Sequence, residues 1–175
     1  MKRSPEMGAI AKTVLMVVAF LLVAAAHAAA QSTTVVVVRH AEKLDDSADP
    51  LLSDAGTARA QALAAALANA DVAAVITTQF HRTRLTGQPM AEKNGLTTIT
   101  VPAANPLRAH LDGIVAKVKE HAGRTVLVVG HSNTVPLIVR ALGGPDVGAI
   151  ADSEYADMFT LVIDGDKVRL VRSKY

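Results

Sequence analysis

Two histidines and two arginines stand just past the ends of apolar runs. Arg39-His40 follows Val35 to Val38, Arg82 with His81 beside it comes shortly after Val72 to Thr78, and His131 follows Val126 to Gly130. Imidazole changes charge near neutral pH, so it can serve as a nucleophile, base or acid. The planar guanidinium fork matches the oxygens of a phosphoryl group. Two of each, with no clear partner anion from the chain, describe a pocket for a dianion. A neutral imidazole there could attack phosphorus while the arginines stabilise charge on the equatorial oxygens. Glu42 and Lys43, and Ser132 and Asn133, flank these groups and are candidate substrate contacts. Lys43 adds a cation, and Ser132 and Asn133 offer backbone N–H groups at a helix start. The plainer alternatives are a solvated lysine and a turn with its cap.

Such groups meet only if the strands before them lie side by side. The four valines before Arg39 read as a buried, central, parallel strand. After a polar loop over Leu44 to Ser53, Ser53 or Asp54 can cap a helix running to about Asn69, with Ala60, Leu63, Ala64 and Leu67 on one face. Val72 to Thr78 is a second buried strand, and a helix then runs to Lys93 before Asn94-Gly95. Leu96 to Val101 is a short third strand. An amphipathic helix carries Leu107, Leu111, Ile114, Val115 and Val118 and ends near Ala122-Gly123. Arg124 to Gly130 is another buried strand, after which Thr134 can cap a helix reaching Leu142. Asp164-Gly165-Asp166 is a strong hairpin signal between Met158–Ile163 and Val168–Arg172. The fold class expected is α/β: three layers, α/β/α, with a mostly parallel central sheet and an antiparallel C-terminal hairpin. In an open sheet of this kind, ligands bind beyond the carboxyl ends of the strands.

The chain opens with Lys2, Arg3 and Lys12, then an apolar run from Val14 to Ala26 and a small-residue stretch. Residues 1–30 have the form of a secretory signal peptide cleaved near Ala28 or Ala30, leaving 31–175 as the domain and a periplasmic or secreted location. Retained, the same segment would be a membrane anchor. Its removal takes three of the 18 basic and one of the 16 acidic residues, leaving 15 of each. The high pI of the whole chain therefore does not mark a nucleic-acid binder. Five aromatic residues offer no base-stacking platform either. With no cysteine, stability rests on packing alone.

Val38-Arg39-His40-Ala41-Glu42-Lys43 resembles the Arg-His-Gly-Glu signature of the histidine phosphatase superfamily, with alanine in place of the usual glycine. Leu52-Ser53-Asp54-Ala55-Gly56, with Ala60-Gln61-Ala62, resembles that family's first helix start. Thr78 to Thr86 is similar to its Ser-x-x-x-Arg-x-x-x-Thr segment, and Val128 to Thr134 to its second-histidine block. The four blocks come in the family's order over the chain past its leader. The resemblance implies a phosphoglycerate-mutase-like fold and an exported phosphomonoester hydrolase. It makes His40 the nucleophile that becomes phosphohistidine, with Arg39, Arg82 and His131 binding and stabilising the phosphoryl group. No metal or cofactor is needed in that scheme, and no His and Asp spacing supports a metal site. The family's proton donor has no counterpart at Ser132 or within Pro102–Arg108; Glu42, Asp112 and Asp49 are the carboxylates left open for the role.

The substrate class expected is a small-molecule or glycan phosphate, in a pocket left open by short loops. Two other readings carry the same residues: a phosphate-binding module without turnover, and a phosphoglycerate-mutase-like isomerase. His81, His110 and His121 are expected at the surface, Tyr155 as a loop anchor, and Met158 and Phe159 in the core.

Overall fold

Val35, Val36, Val37 and Val38 form the middle of β1 (Thr33–Arg39), and none is more than 2% exposed. Side chains alternate across a strand, so the run divides two and two between the faces of the sheet. Val36 and Val38 pack with Leu63 and Ala64 of α1 (Asp54–Ala66) and with Met90 and Ala91 of α2 (His81–Lys93). Val35 and Val37 pack with Ile114 and Val118 of α3 (Leu107–Lys119) and with Val135, Ile138 and Val139 of α4 (Val135–Ala141). A strand covered by helices on both faces has no solvent side, which is why it contains no polar alternation. The structure is a computed structural model and describes residues 32–175. The leader expected over residues 1–30 lies outside the described residues.

The sheet has six strands in the order β3-β2-β4-β1-β5-β6. β2 (Val72–Thr77) and β4 (Thr125–Gly130) are parallel to each other and to β1, with β4 between them. β5 (Asp157–Asp164) pairs antiparallel with β1, and β6 (Lys167–Lys174) pairs antiparallel with β5. The carboxyl ends of β2, β4 and β1 are therefore neighbours on one edge of the sheet. The closing hairpin turns at Gly165-Asp166, where Gly165 takes a φ of +56°, a conformation that a side chain resists. The architecture is the expected three-layer α/β/α with a mostly parallel sheet. Among the described residues, no helix is long and apolar enough to cross a membrane.

Several boundaries differ from the sequence reading. β3 is only Ile99–Thr100, because Leu96 N–H caps α2 by donating to the Ala91 carbonyl and Pro102 stops pairing beyond Val101. α3 ends at Lys119, since the next N–H groups, of His121 and Ala122, bond three residues back in a tight turn. α1 likewise ends at Ala66. Thr134 stands before α4 without capping it through its side chain; its hydroxyl accepts instead from the His131 N–H at 2.9 Å.

Candidate active site

The β1 end delivers His40 in a fixed pose. Its N–H donates to the Gly130 carbonyl, and its Nδ1 lies 2.8 Å from the Ala41 carbonyl. A carbonyl can only accept, so Nδ1 carries the proton and Nε2 keeps its lone pair when the ring is neutral. Ala41 N–H donates to Thr86 Oγ1 at 2.9 Å, and the Thr86 hydroxyl donates to the Arg82 carbonyl at 2.7 Å. One hydroxyl thus ties the residue after the histidine to the first turn of α2.

The start of α1 clamps the same loop from its other side. Ser53 N–H donates to the Glu42 carbonyl, and the Ser53 hydroxyl accepts from Gly56 N–H. A methyl group on Gly56 would overlap the Glu42 carbonyl oxygen, so this close approach requires glycine. Arg59 in turn grips both Glu42 carboxylate oxygens, at 2.6 to 2.9 Å. Burial pushes the Glu42 carboxyl up, but the hydrogen bonds and charge of Arg59 outweigh it and leave the pKa below the usual range. Glu42 was expected to touch substrate or to supply a proton. In the structure it braces the β1 loop against α1 through Arg59 and is not among the residues lining the pocket.

Seven expected residues come together around one cavity of about 280 Å³: Arg39, His40, Lys43, Arg82, His131, Ser132 and Asn133. Of these, Arg39, His40 and His131 are buried at 6%, 4% and 8% exposure. The rings of His40 and His131 stand 5.4 Å apart at 63°. Ser47, Ala48 and Pro50 complete one wall, and Asp152 is the single carboxylate residue on it among the described residues. Burial lowers the His40 pKa to about 4, with the charges of Arg39, Arg82 and Lys43 pushing the same way. Burial, followed by the Arg82 charge, lowers that of His131 to about 3. Both rings are therefore neutral at pH 7, beside three permanent cations.

Arg39 has a second task that its sequence position did not show. Its Nη1 donates to the carbonyls of Ala151, Asp152 and Glu154 at 2.9 to 3.1 Å, and the guanidinium lies 4.1 Å from the centre of the Tyr155 ring. It holds the 151–155 loop against the cavity, with Tyr155 as the expected anchor. Arg82 lies 4.3 Å from the centre of the Phe80 ring; its Nη1 is 3.4 Å from the Ala48 carbonyl and 3.8 Å from Asp49 Oδ1. Asp49 is itself held by the backbone N–H and Nδ1 of His81, both at 2.8 Å. Desolvation raises the Asp49 carboxyl, but the His81 bonds outweigh it and lower the pKa.

His131 is oriented by a run of hydroxyls. Thr83 Oγ1 donates to the Phe80 carbonyl at 2.9 Å, which uses its proton. Thr78 must then donate to Thr83 at 2.8 Å, leaving Thr78 Oγ1 to accept from His131 Nε2 at 3.1 Å. The lone pair of neutral His131 therefore sits on Nδ1. Thr78, Thr83 and Thr86 all fall in the segment matched to the family pattern, which was the available signal; their roles needed the fold. His110, expected at the surface, is 1% exposed, and its Nδ1 lies 2.9 Å from the Pro102 carbonyl. His81 is half-exposed as expected but engaged with Asp49. Asp112, another carboxylate left open as proton donor, is exposed and pairs with Arg108 on α3. Among the described residues, no three His, Asp or Glu side chains converge as metal ligands.

The chain matches the model of the histidine phosphatase superfamily (branch 1) over residues 35–108. No curated protein matches it. Among solved structures it is similar to a mycobacterial glucosyl-3-phosphoglycerate phosphatase, at 16% identity and a TM-score of 0.62 over 82% of this chain and 98% of that one. It is similar to a phosphoglycerate mutase from Bacillus anthracis at 14% identity and a TM-score of 0.65, over 83% and 94% of the two chains. The protein histidine phosphatase SixA, solved with tungstate, aligns at 17% identity and a TM-score of 0.64, over 81% and 96%. At such identities these likenesses carry the fold, which is phosphoglycerate-mutase-like. The match to the model of the histidine phosphatase superfamily (branch 1) takes in Arg39, His40 and Arg82, so the similarity to that superfamily covers three of the residues that line the pocket.

Proposed function

We propose that this protein is a phosphatase that hydrolyses phosphomonoesters through a phosphohistidine on His40. One observation carries the reading: the proton on Nδ1 is directed to the Ala41 carbonyl, so Nε2 of a neutral imidazole is free for attack inside a cationic pocket. In the first step Nε2 bonds to phosphorus and the ester P–O bond breaks, its electron pair leaving with the alcohol oxygen. Arg82, Lys43 and the charge of Arg39 stabilise the phosphoryl oxygens, and neutral His131 forms the wall beside them. Water then attacks phosphorus, the P–N bond breaks and its pair returns to His40; the products are phosphate and the free enzyme. No step uses a metal ion.

Glu42, Asp49 and Asp112 are all engaged with other side chains, so the scheme assigns none of these three to the departing alkoxide; Asp152 is the one carboxylate residue on the pocket wall among the described residues. General acid help is worth about two to four orders of magnitude. Esters and anhydrides whose leaving groups depart as stable anions depend on it least, and they are the substrates this site suits. The basic, apolar leader over residues 1–30 supports action outside the cytoplasm.

The test is hydrolysis of p-nitrophenyl phosphate by the purified protein with and without a chelator, beside His40→Ala. Turnover that survives chelation and is abolished by the substitution is the expected result. Turnover that stops with chelator and returns with a divalent ion overturns the metal-free scheme. No turnover on several phosphoesters, with phosphate still bound, would make the protein a binding module.

A further inference from the structure

A second chamber of about 360 Å³ opens beside the phosphate pocket and shares Arg82, His131 and Asn133 with it. Its own walls come from Phe80 and from the stretch between β3 and α3: Ala103, Ala104, Asn105 and Leu107. None of these carries a charge, and no carboxylate lines the chamber. His110 forms part of the wall, with Nδ1 committed to the Pro102 carbonyl. Phe80 stands at the junction. Arg82 covers one face of its ring, and the ring meets His131 edge to face with centroids 5.5 Å apart.

We infer that this chamber is the leaving-group subsite and that it selects a flat, neutral, apolar group, making aryl phosphomonoesters preferred over phosphorylated sugars. The inference rests on the phosphatase reading and deepens it. A phosphoryl group between His40 and His131 has its ester oxygen close to the shared wall, and the adjoining volume accommodates one or two fused rings. A sugar would set several hydroxyls against alanine, leucine and phenylalanine, with Asn105, Asn133 and Thr134 to pair them beside the phosphate-facing Arg82 and His131, and unpaired polar groups are costly to desolvate. The electronic demand points the same way. A phenolate depends on a proton donor far less than a sugar alkoxide does, and the pocket wall offers a single carboxylate residue, Asp152, among the described residues.

Binding of phosphonates tests the chamber separately from the chemistry, because their P–C bond is not hydrolysed. Affinities of phenylphosphonate and methylphosphonate are measured by calorimetry at a pH where both are dianions. Burying the ring predicts about tenfold or greater preference for phenylphosphonate. Leu107, 39% exposed at the first position of α3, is then replaced by Asp, and the preference is expected to collapse toward unity. Ala104→Asp repeats the test from the stretch before the helix, and thermal unfolding checks that each variant is folded. Equal affinities in the wild type, or a preference that survives both substitutions, overturn the inference. Greater kcat/KM for glucose 6-phosphate than for 1-naphthyl phosphate does so as well. If the phenyl preference holds and no phosphoester is turned over, the phosphatase reading falls and the chamber stands.

Discussion

Thr78 Oγ1 lies 3.1 Å from His131 Nε2 and passes its own proton to Thr83. That single contact decides which nitrogen of a buried imidazole faces the phosphate pocket. A threonine at the end of one strand thereby sets the tautomer of a histidine at the end of its neighbour.

Thr78→Val keeps the shape and removes the acceptor. The buried Nε2–H is left without a partner, which costs about 1–3 kcal/mol, and the other tautomer becomes accessible. Steady-state kinetics on p-nitrophenyl phosphate should show kcat/KM falling by about ten- to a hundredfold. Thr78→Ser, which keeps the hydroxyl, should recover most of it. Equal loss in both variants would assign the effect to packing.

The two histidines predict an acid limb in stability. His40 and His131 have folded pKa values of about 4 and about 3, against 6.5 for the free side chain. Between those limits the unfolded chain binds more protons than the native one, so stability is fully present above pH 6.5 and is lost as the pH falls toward the folded values. Each ring contributes a slope approaching about 1.4 kcal/mol per pH unit in that window. Urea denaturation from pH 8 to pH 4.5 measures it, and His131→Gln should reduce the slope by about one proton.

The same values place the acid limb of activity. His40 must be neutral to attack, so kcat/KM should hold its pH-dependence from this group down to about pH 4. An enzyme limb near pH 6.5, after allowing for ionisation of the substrate, would show that the ring titrates as an exposed histidine.

Gly56→Ala tests the clamp at the start of α1. Alanine is ordinarily the better helix former, yet here its methyl would overlap the Glu42 carbonyl. Overpacking of this kind costs about 1–3 kcal/mol, read as a lower urea midpoint, with kcat reduced because the displaced backbone carries His40. An unchanged or raised midpoint would mean that the loop yields without strain.

Glu42→Gln separates bracing from proton transfer. The carboxylate is held by Arg59, so the substitution should lower stability by about 1 kcal/mol and leave the shape of the pH–rate profile unchanged. Loss of a basic limb in that profile would instead make Glu42 the acid.

Local chemistry was enough to show the alternation of strands and helices, the hairpin at Gly165-Asp166, and Arg39-His40, Arg82 and His131 as the groups to watch. Each of those signals lies within a few residues of chain. Four valines cannot face water, and the charged residues after them mark where a buried strand emerges. The order β2-β4-β1, which brings the three ends together, depends on pairing between residues some 50 to 90 positions apart. No local pattern encodes that pairing. Glu42 shows the limit most clearly: beside the nucleophile in sequence, it points away to Arg59 on α1. Arg39, expected to serve the phosphate alone, also fastens the 151–155 loop, more than a hundred residues distant. Residue type and spacing determined which side chains could do chemistry. Only the tertiary structure decided which of them share a cavity, because strand order and helix docking set side-chain direction across distances that the chain itself does not span.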